Sequence, residues 1–181
     1  MRVLISCIFI FFFKISFGQD FQYLDIPTLK VEDFKGAKST NSIENEAAFT
    51  TWSVFYNIKQ VKKLDYKSSF VTYNFTILMR KELSWIDKKL LKDQKQLDKI
   101  LDHERGHLIL AYALANGLRK RMNKVYYGDY NKQSSIIFND LFEKVKALQV
   151  KYDLETDHSN NRIEQKEWNS RLKKLLLNPT F

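Results

Sequence analysis

Near its middle the chain changes the period of its hydrophobic pattern, and that change restricts the fold more than any other feature. Over residues 49–58, Trp52, Val54, Tyr56 and Ile58 alternate with Thr51, Ser53 and Asn57. Over residues 70–79, Val71, Tyr73, Phe75, Ile77 and Met79 alternate with Thr72, Asn74 and Thr76. A period of two puts the apolar side chains on one face of a strand, so the sequence predicts two half-buried strands, antiparallel across the polar connection 59–68. From residue 86 to about 125 the period lengthens, proline is missing, and only Gly106 and Gly117 weaken a helix. Ser84, with Asp87 three residues on, is a candidate helix cap, and a break is expected near Asp93. Residues 126–132 read as a turn, 134–152 as an amphipathic helix with Ile137, Leu141, Val145 and Leu148 inward, and 161–176 as a third helix. Residues 29–34 read as a short strand ahead of Gly36 and a loop rich in Ser, Thr and Asn. Strands followed by helices predict an α+β domain, its antiparallel strands packed on a long helix with further C-terminal helices.

A chain of 181 residues has room for one such domain, and 44% hydrophobic with 14% aromatic residues fill its core, which excludes the disordered and low-complexity classes. Cys7 is the only cysteine, so there is no intrachain disulfide or CxxC pair, and any metal must be held by His, Asp or Glu. A net charge of +9 raises nucleic acid as a partner. The N-terminus argues against it. Arg2, the apolar run 3–13 and Ser16-Phe17-Gly18 have the order of a cleaved secretory signal, residues 1–18. The run, ended by Lys14, is shorter than the ~20 residues that span a bilayer, and too few residues precede Leu4-Ile5-Ser6-Cys7 for a lipobox. The expectation is therefore a domain of residues 19–181 exported across the inner membrane, periplasmic or extracellular, with no stable membrane anchor and no nucleic-acid partner. Lys62-Lys63, Arg119-Lys120-Arg121 and the run 171–174 read as solvated helix faces.

Chemistry concentrates in His103-Glu104-Arg105-Gly106-His107, an HExxH within the long helix. Histidines four apart stand one turn above each other, with Cβ atoms ~5–6 Å apart, so both imidazoles reach one ion at ~2.0–2.1 Å. Glu104 is rotated ~100° from His103, poorly placed as a ligand and well placed as general base toward a water. Ile100, Leu110 and Leu114 share the histidine stripe, which turns the imidazoles into the domain. Gly106 in mid-helix suggests that something approaches the backbone closely there. A catalytic zinc needs a third protein ligand and an open position. Position 113, where an elongated metzincin motif carries histidine, is Ala113. His158, the one histidine left, is the candidate third ligand, and Asp153, Glu155, Glu164 and Glu167 compete for the role. Tyr152, by sequence proximity, is a candidate donor to an oxyanion.

These pieces occur in an order that resembles the bacterial domain of unknown function 922, a family described as secreted zinc-dependent proteases. The resemblance runs from about Leu29 to Trp168. It rests on Asp33-Phe34, Ser84-Trp85, the HExxH, then Tyr152-Asp153, Thr156, His158, Gln165 and Trp168. It implies a zincin-like fold, a metal set of His103, His107 and His158, Glu104 as the catalytic residue, and a peptide or protein substrate. The chain departs from the pattern at Leu108, where an aromatic is commoner, and at Ser159, where glycine is expected. The resulting expectation is a secreted zinc metallopeptidase. The competing reading is a non-catalytic secreted binding module with a structural or vestigial metal site.

Overall fold

The alternating segments form strands, and the breaker-poor segment forms the helix on which they pack. In the computed structural model residues 21–22, 25–38 and 46–181 are described. The expected signal, 1–18, lies outside them. The strands are β1 (Ala48–Phe49), β2 (Trp52–Lys63), β3 (Ser68–Met79), β4 (Trp85–Ile86) and β5 (Lys124–Tyr127), and the helices are α1 (Gln94–Met122), α2 (Tyr130–Thr156) and α3 (Arg162–Leu177). The chain is thus α+β with antiparallel sheets. β2, β3 and β5 make one sheet in that order, and β1 pairs with β4 in a second.

The β2–β3 hairpin runs from Trp52 opposite Met79 to Lys63 opposite Ser69, with one irregularity between Ile58 and Gln60. Its inner face follows the alternation at Val54, Val71, Tyr73 and Phe75, which are buried, whereas Ile58, expected inward, is exposed beside the irregularity. β3 lies between β2 and β5, but β5 pairs only with residues 68–71, so among the described residues 72–79 have a strand partner on the β2 side alone.

α1 lies under this sheet and against α2 and α3 on its other side. Enclosure on all sides explains why residues 106–111 and 113–118 are buried without interruption. Small residues at Ala111, Ala113 and Ala115 let the neighbours approach. Like His107 earlier in the stretch, Asn116, 0% exposed, is polar. Its amide donates to the Phe21 and Leu176 carbonyls at 2.9 Å each, and its oxygen accepts from Phe21 N at 2.8 Å. One side chain thereby holds both ends of the described chain to the central helix.

Several boundaries differ from expectation. Ser84 does not cap α1. Its hydroxyl accepts from Thr51 N at 2.9 Å and donates to the Arg80 carbonyl at 2.9 Å, and Trp85–Ile86 is strand. Asp87 caps only a 3-10 turn, Lys88–Leu90, and Asp93 caps α1 by accepting from Gln96 N. Residues 29–34 hold a 3-10 turn at Val31–Asp33 in place of a strand, because the Asp33 carboxylate accepts the Lys30 N–H at 2.8 Å and closes the chain on itself. The segment expected as a turn begins with β5, which adds to β3. Among the described residues no helix is long and apolar enough to cross a membrane.

Candidate metal centre

The i, i+4 spacing on α1 brings His103 and His107 to one side of the helix, 2% and 7% exposed, their ring centroids 5.1 Å apart. α2 crosses them. Four residues separate Gln149 from Asp153, so both project from one stripe of α2, facing α1. Asp153 Oδ1 lies 3.2 Å from His103 Nε2 and 3.0 Å from His107 Nε2. The ligating atoms of these three residues all lie within 4.8 Å of one another.

The far side of each imidazole is held by an amide oxygen. His103 Nδ1–H donates to Gln165 Oε1 at 3.0 Å, with Thr156 Oγ1 at 3.3 Å, and His107 Nδ1–H donates to Gln149 Oε1. Gln165 is fixed in turn, its amide donating to Tyr152 Oη at 2.7 Å and to Asn169 Oδ1 at 2.9 Å. Anchoring Nδ1 in this way turns Nε2 toward the shared point, which is how metal-binding histidines are oriented in general.

Tyr152 is fully buried and stacks on His103, with centroids 4.5 Å apart and planes 15° apart. Its hydroxyl donates to the His103 carbonyl at 2.9 Å, so its only proton is engaged with the backbone of α1. Burial, with the nearby Glu104 charge adding to it, pushes this phenol well above its ordinary pKa. The ring also accounts for Gly106, since a Cβ there would lie 2.3 Å from Tyr152 Oη. Trp168 packs edge-on against Tyr152 at 5.2 Å and donates its indole N–H to Glu155 at 2.8 Å.

Charge is distributed to suit a cation. Burial alone would lower the pKa of His107, but the hydrogen bond and charge of Asp153, with the Glu104 charge and Gln149, push it up to about 9. Burial would raise that of Asp153, yet both histidines hold it well below the usual carboxylate range. Glu104 is 3% exposed, and its Oε2 has no hydrogen-bond partner among the described residues. A buried carboxylate oxygen without a partner is costly and needs a reason, such as an ion or a reacting water.

These residues fit a divalent cation. A tetrahedron with bonds of ~2.0 Å has edges of ~3.3 Å, close to the 3.2 and 3.0 Å from Asp153 to the two imidazoles. A proton on His107 offsets the carboxylates in the metal-free chain, and a divalent ion would do so with more charge.

The remaining candidates are placed as follows. His158 follows α2 in a run of three left-handed residues, Asp157 (φ 47°), His158 (φ 46°) and Ser159 (φ 81°), and its ring centroid is 6.5 Å from that of His103. It borders the cluster without joining the three converging atoms. The Ser159 torsion is one that favours glycine. Glu155, Glu164 and Glu167 line a separate cavity with Trp168 and Arg171. Gln149 escaped the sequence reading. Its signal was the shared stripe with Asp153, hidden as long as the helix was ended at Tyr152.

The family model of a bacterial protein of unknown function, DUF922, matches residues 21–159, which include α1, α2 and the turn that bears His158. Among curated proteins and among solved structures nothing matches significantly. The matched segment covers most of the sequence, and the chain therefore belongs to the DUF922 family of bacterial proteins.

Proposed function

We propose that the protein is a zinc-dependent peptidase of zincin-like arrangement, in which His103, His107 and Asp153 hold the metal and Glu104 is the general base. The observation that carries this reading is the convergence of two Nδ1-anchored imidazoles and one carboxylate beside a buried glutamate with an unpartnered oxygen. When bound, zinc supplies a Lewis acid that polarises a carbonyl and acidifies water toward a pKa of about 7. Glu104 takes a proton from the attacking water and delivers it to the departing nitrogen. Gln149 and Gln165 keep the imidazoles in the tautomer that presents Nε2. Tyr152 is a positioning residue in this scheme, because its proton already serves the His103 carbonyl. His158 stands beside the centre as the group next in line to Asp153. The substrate is a peptide or protein. The signal-like order of residues 1–18 supports an activity outside the cytoplasm.

The test is hydrolysis of a fluorescence-quenched mixed peptide library by the zinc-loaded protein. Wild type should cleave, and Glu104→Gln should keep its zinc while losing at least about 100-fold in rate, the usual worth of a positioned acid–base group. Zinc without cleavage in the wild type, or cleavage indifferent to Glu104→Gln, would favour a non-catalytic binding module with a structural metal.

A further inference from the structure

A cavity of about 340 Å³ opens beside the cluster, with His107 and Asp153 in its lining. The segment that joins β1 to β2, with Phe49 and Trp52 at its ends, forms one wall, and the stripe of α2 that carries Phe142, Gln149 and Asp153 forms the other. Most of the exposed wall is apolar, with Lys146 and Asp153 as its charged members, and neighbouring rings hold the apolar part in place. Trp52 meets Phe142 edge-on at 6.0 Å, Phe142 stacks on Phe138 at 5.8 Å, and Phe49 stacks on Trp85 at 6.4 Å. Val150, 56% exposed, belongs to the same lining. Thr50 also lines the cavity, and its buried hydroxyl has no partner among the described residues.

We infer that this cavity is the side-chain subsite of the peptidase, and that it takes a bulky apolar residue, aromatic or leucine-like, next to the bond that is cut. The inference rests on the peptidase reading and deepens it. Continuity with His107 and Asp153 points to the occupant: a chain whose carbonyl lies at the metal those residues would hold brings a neighbouring side chain against Trp52, Phe142 and Val150. Rigid aromatic walls favour a large apolar group over a small or charged one, since the gain on binding scales with the apolar area removed from water.

The test measures binding, so that it does not depend on turnover. Acetyl-Gly-Xaa-Gly-amide peptides with Xaa as Phe, Leu, Gly or Asp are titrated calorimetrically into Glu104→Gln, both zinc-loaded and metal-free. Phe and Leu should bind the zinc-loaded protein roughly tenfold or more tightly than Gly and Asp. Val150→Trp, which places a ring in the mouth of the cavity, should erase that preference while the melting temperature and zinc content stay those of the parent. Equal binding of the four peptides, or a preference that survives Val150→Trp, would overturn the subsite. The two readings fail separately. A protein that takes up no zinc yet still prefers Phe to Gly refutes the peptidase and keeps the pocket, whereas zinc uptake without any preference refutes the pocket alone.

Discussion

Gly106 and Tyr152 form a complementary pair: one gives up a side chain so that the other can lie against α1 and support His103. A methyl group at position 106 would meet Tyr152 Oη at 2.3 Å and Cζ at 2.6 Å, so the ring must move. Gly106→Ala should therefore destabilise the fold by roughly 1–3 kcal/mol, as overpacking does, despite the better helix propensity of alanine. Urea unfolding checks this, and a variant as stable as wild type would contradict it. Asp33 carries a different residue-scale expectation. Partial burial alone would raise its pKa, but the Lys81 ammonium at 2.7 Å and the Lys30 N–H hold it below the ordinary 3.8. A carboxyl with a lowered native pKa contributes stability that is present above the unfolded value and is lost as the pH falls through the native one. Asp33→Asn should accordingly be less stable than wild type by about 1 kcal/mol at pH 7. That gap should begin to narrow as the pH falls toward 3.8 and close only below the lowered native value. Paired urea titrations across that range decide it, and a gap independent of pH would exclude the ion pair as its source.

Among the elements, α1 organises the rest, and Asn116 is the point at which distant segments attach to it. Replacing Asn116 by Ala leaves the Phe21 and Leu176 main-chain groups without these buried partners. The expected loss is about 2–3 kcal/mol, seen as a lower melting temperature, because buried polar groups left unsatisfied carry their full desolvation penalty. No local pattern announces this role, since its partners sit at opposite ends of the sequence. What periodicity does announce, it announces well. The inner faces of β3 and of β2 as far as Tyr56, the helical setting of the HExxH and the inward stripe of α2 at Leu141 and Val145 were all legible. Boundaries set by non-local pairing were not: Trp85–Ile86 becomes strand because β1 lies opposite, and Lys124–Tyr127 because β3 does. The third side of the candidate metal cluster was obscured by one such boundary. A helix ended at Tyr152 leaves Asp153 in a loop, where it competes with Glu155 behind His158. Its continuation to Thr156 sets Asp153 one turn beyond Gln149, facing both histidines.

At the scale of the molecule, one buried helix presents HExxH to a second helix that supplies a carboxylate, and the loop joining the two sheets completes a cavity beside them. Two glutamines and a tyrosine fix the imidazoles before any ligand arrives, which favours a centre that binds metal with little rearrangement. The measurement that bears most directly on this account is the zinc content of the purified protein and four variants, read by mass spectrometry of the metal after dialysis. Following the one-site geometry, wild type should hold about one zinc per chain, and so should Glu104→Gln. His103→Ala and Asp153→Ala should hold essentially none, while His158→Ala should keep most of it. Zinc retained by Asp153→Ala and lost from His158→Ala would transfer the third ligand to His158. A wild type without zinc, or a His103→Ala variant that keeps it, would contradict the metal centre itself.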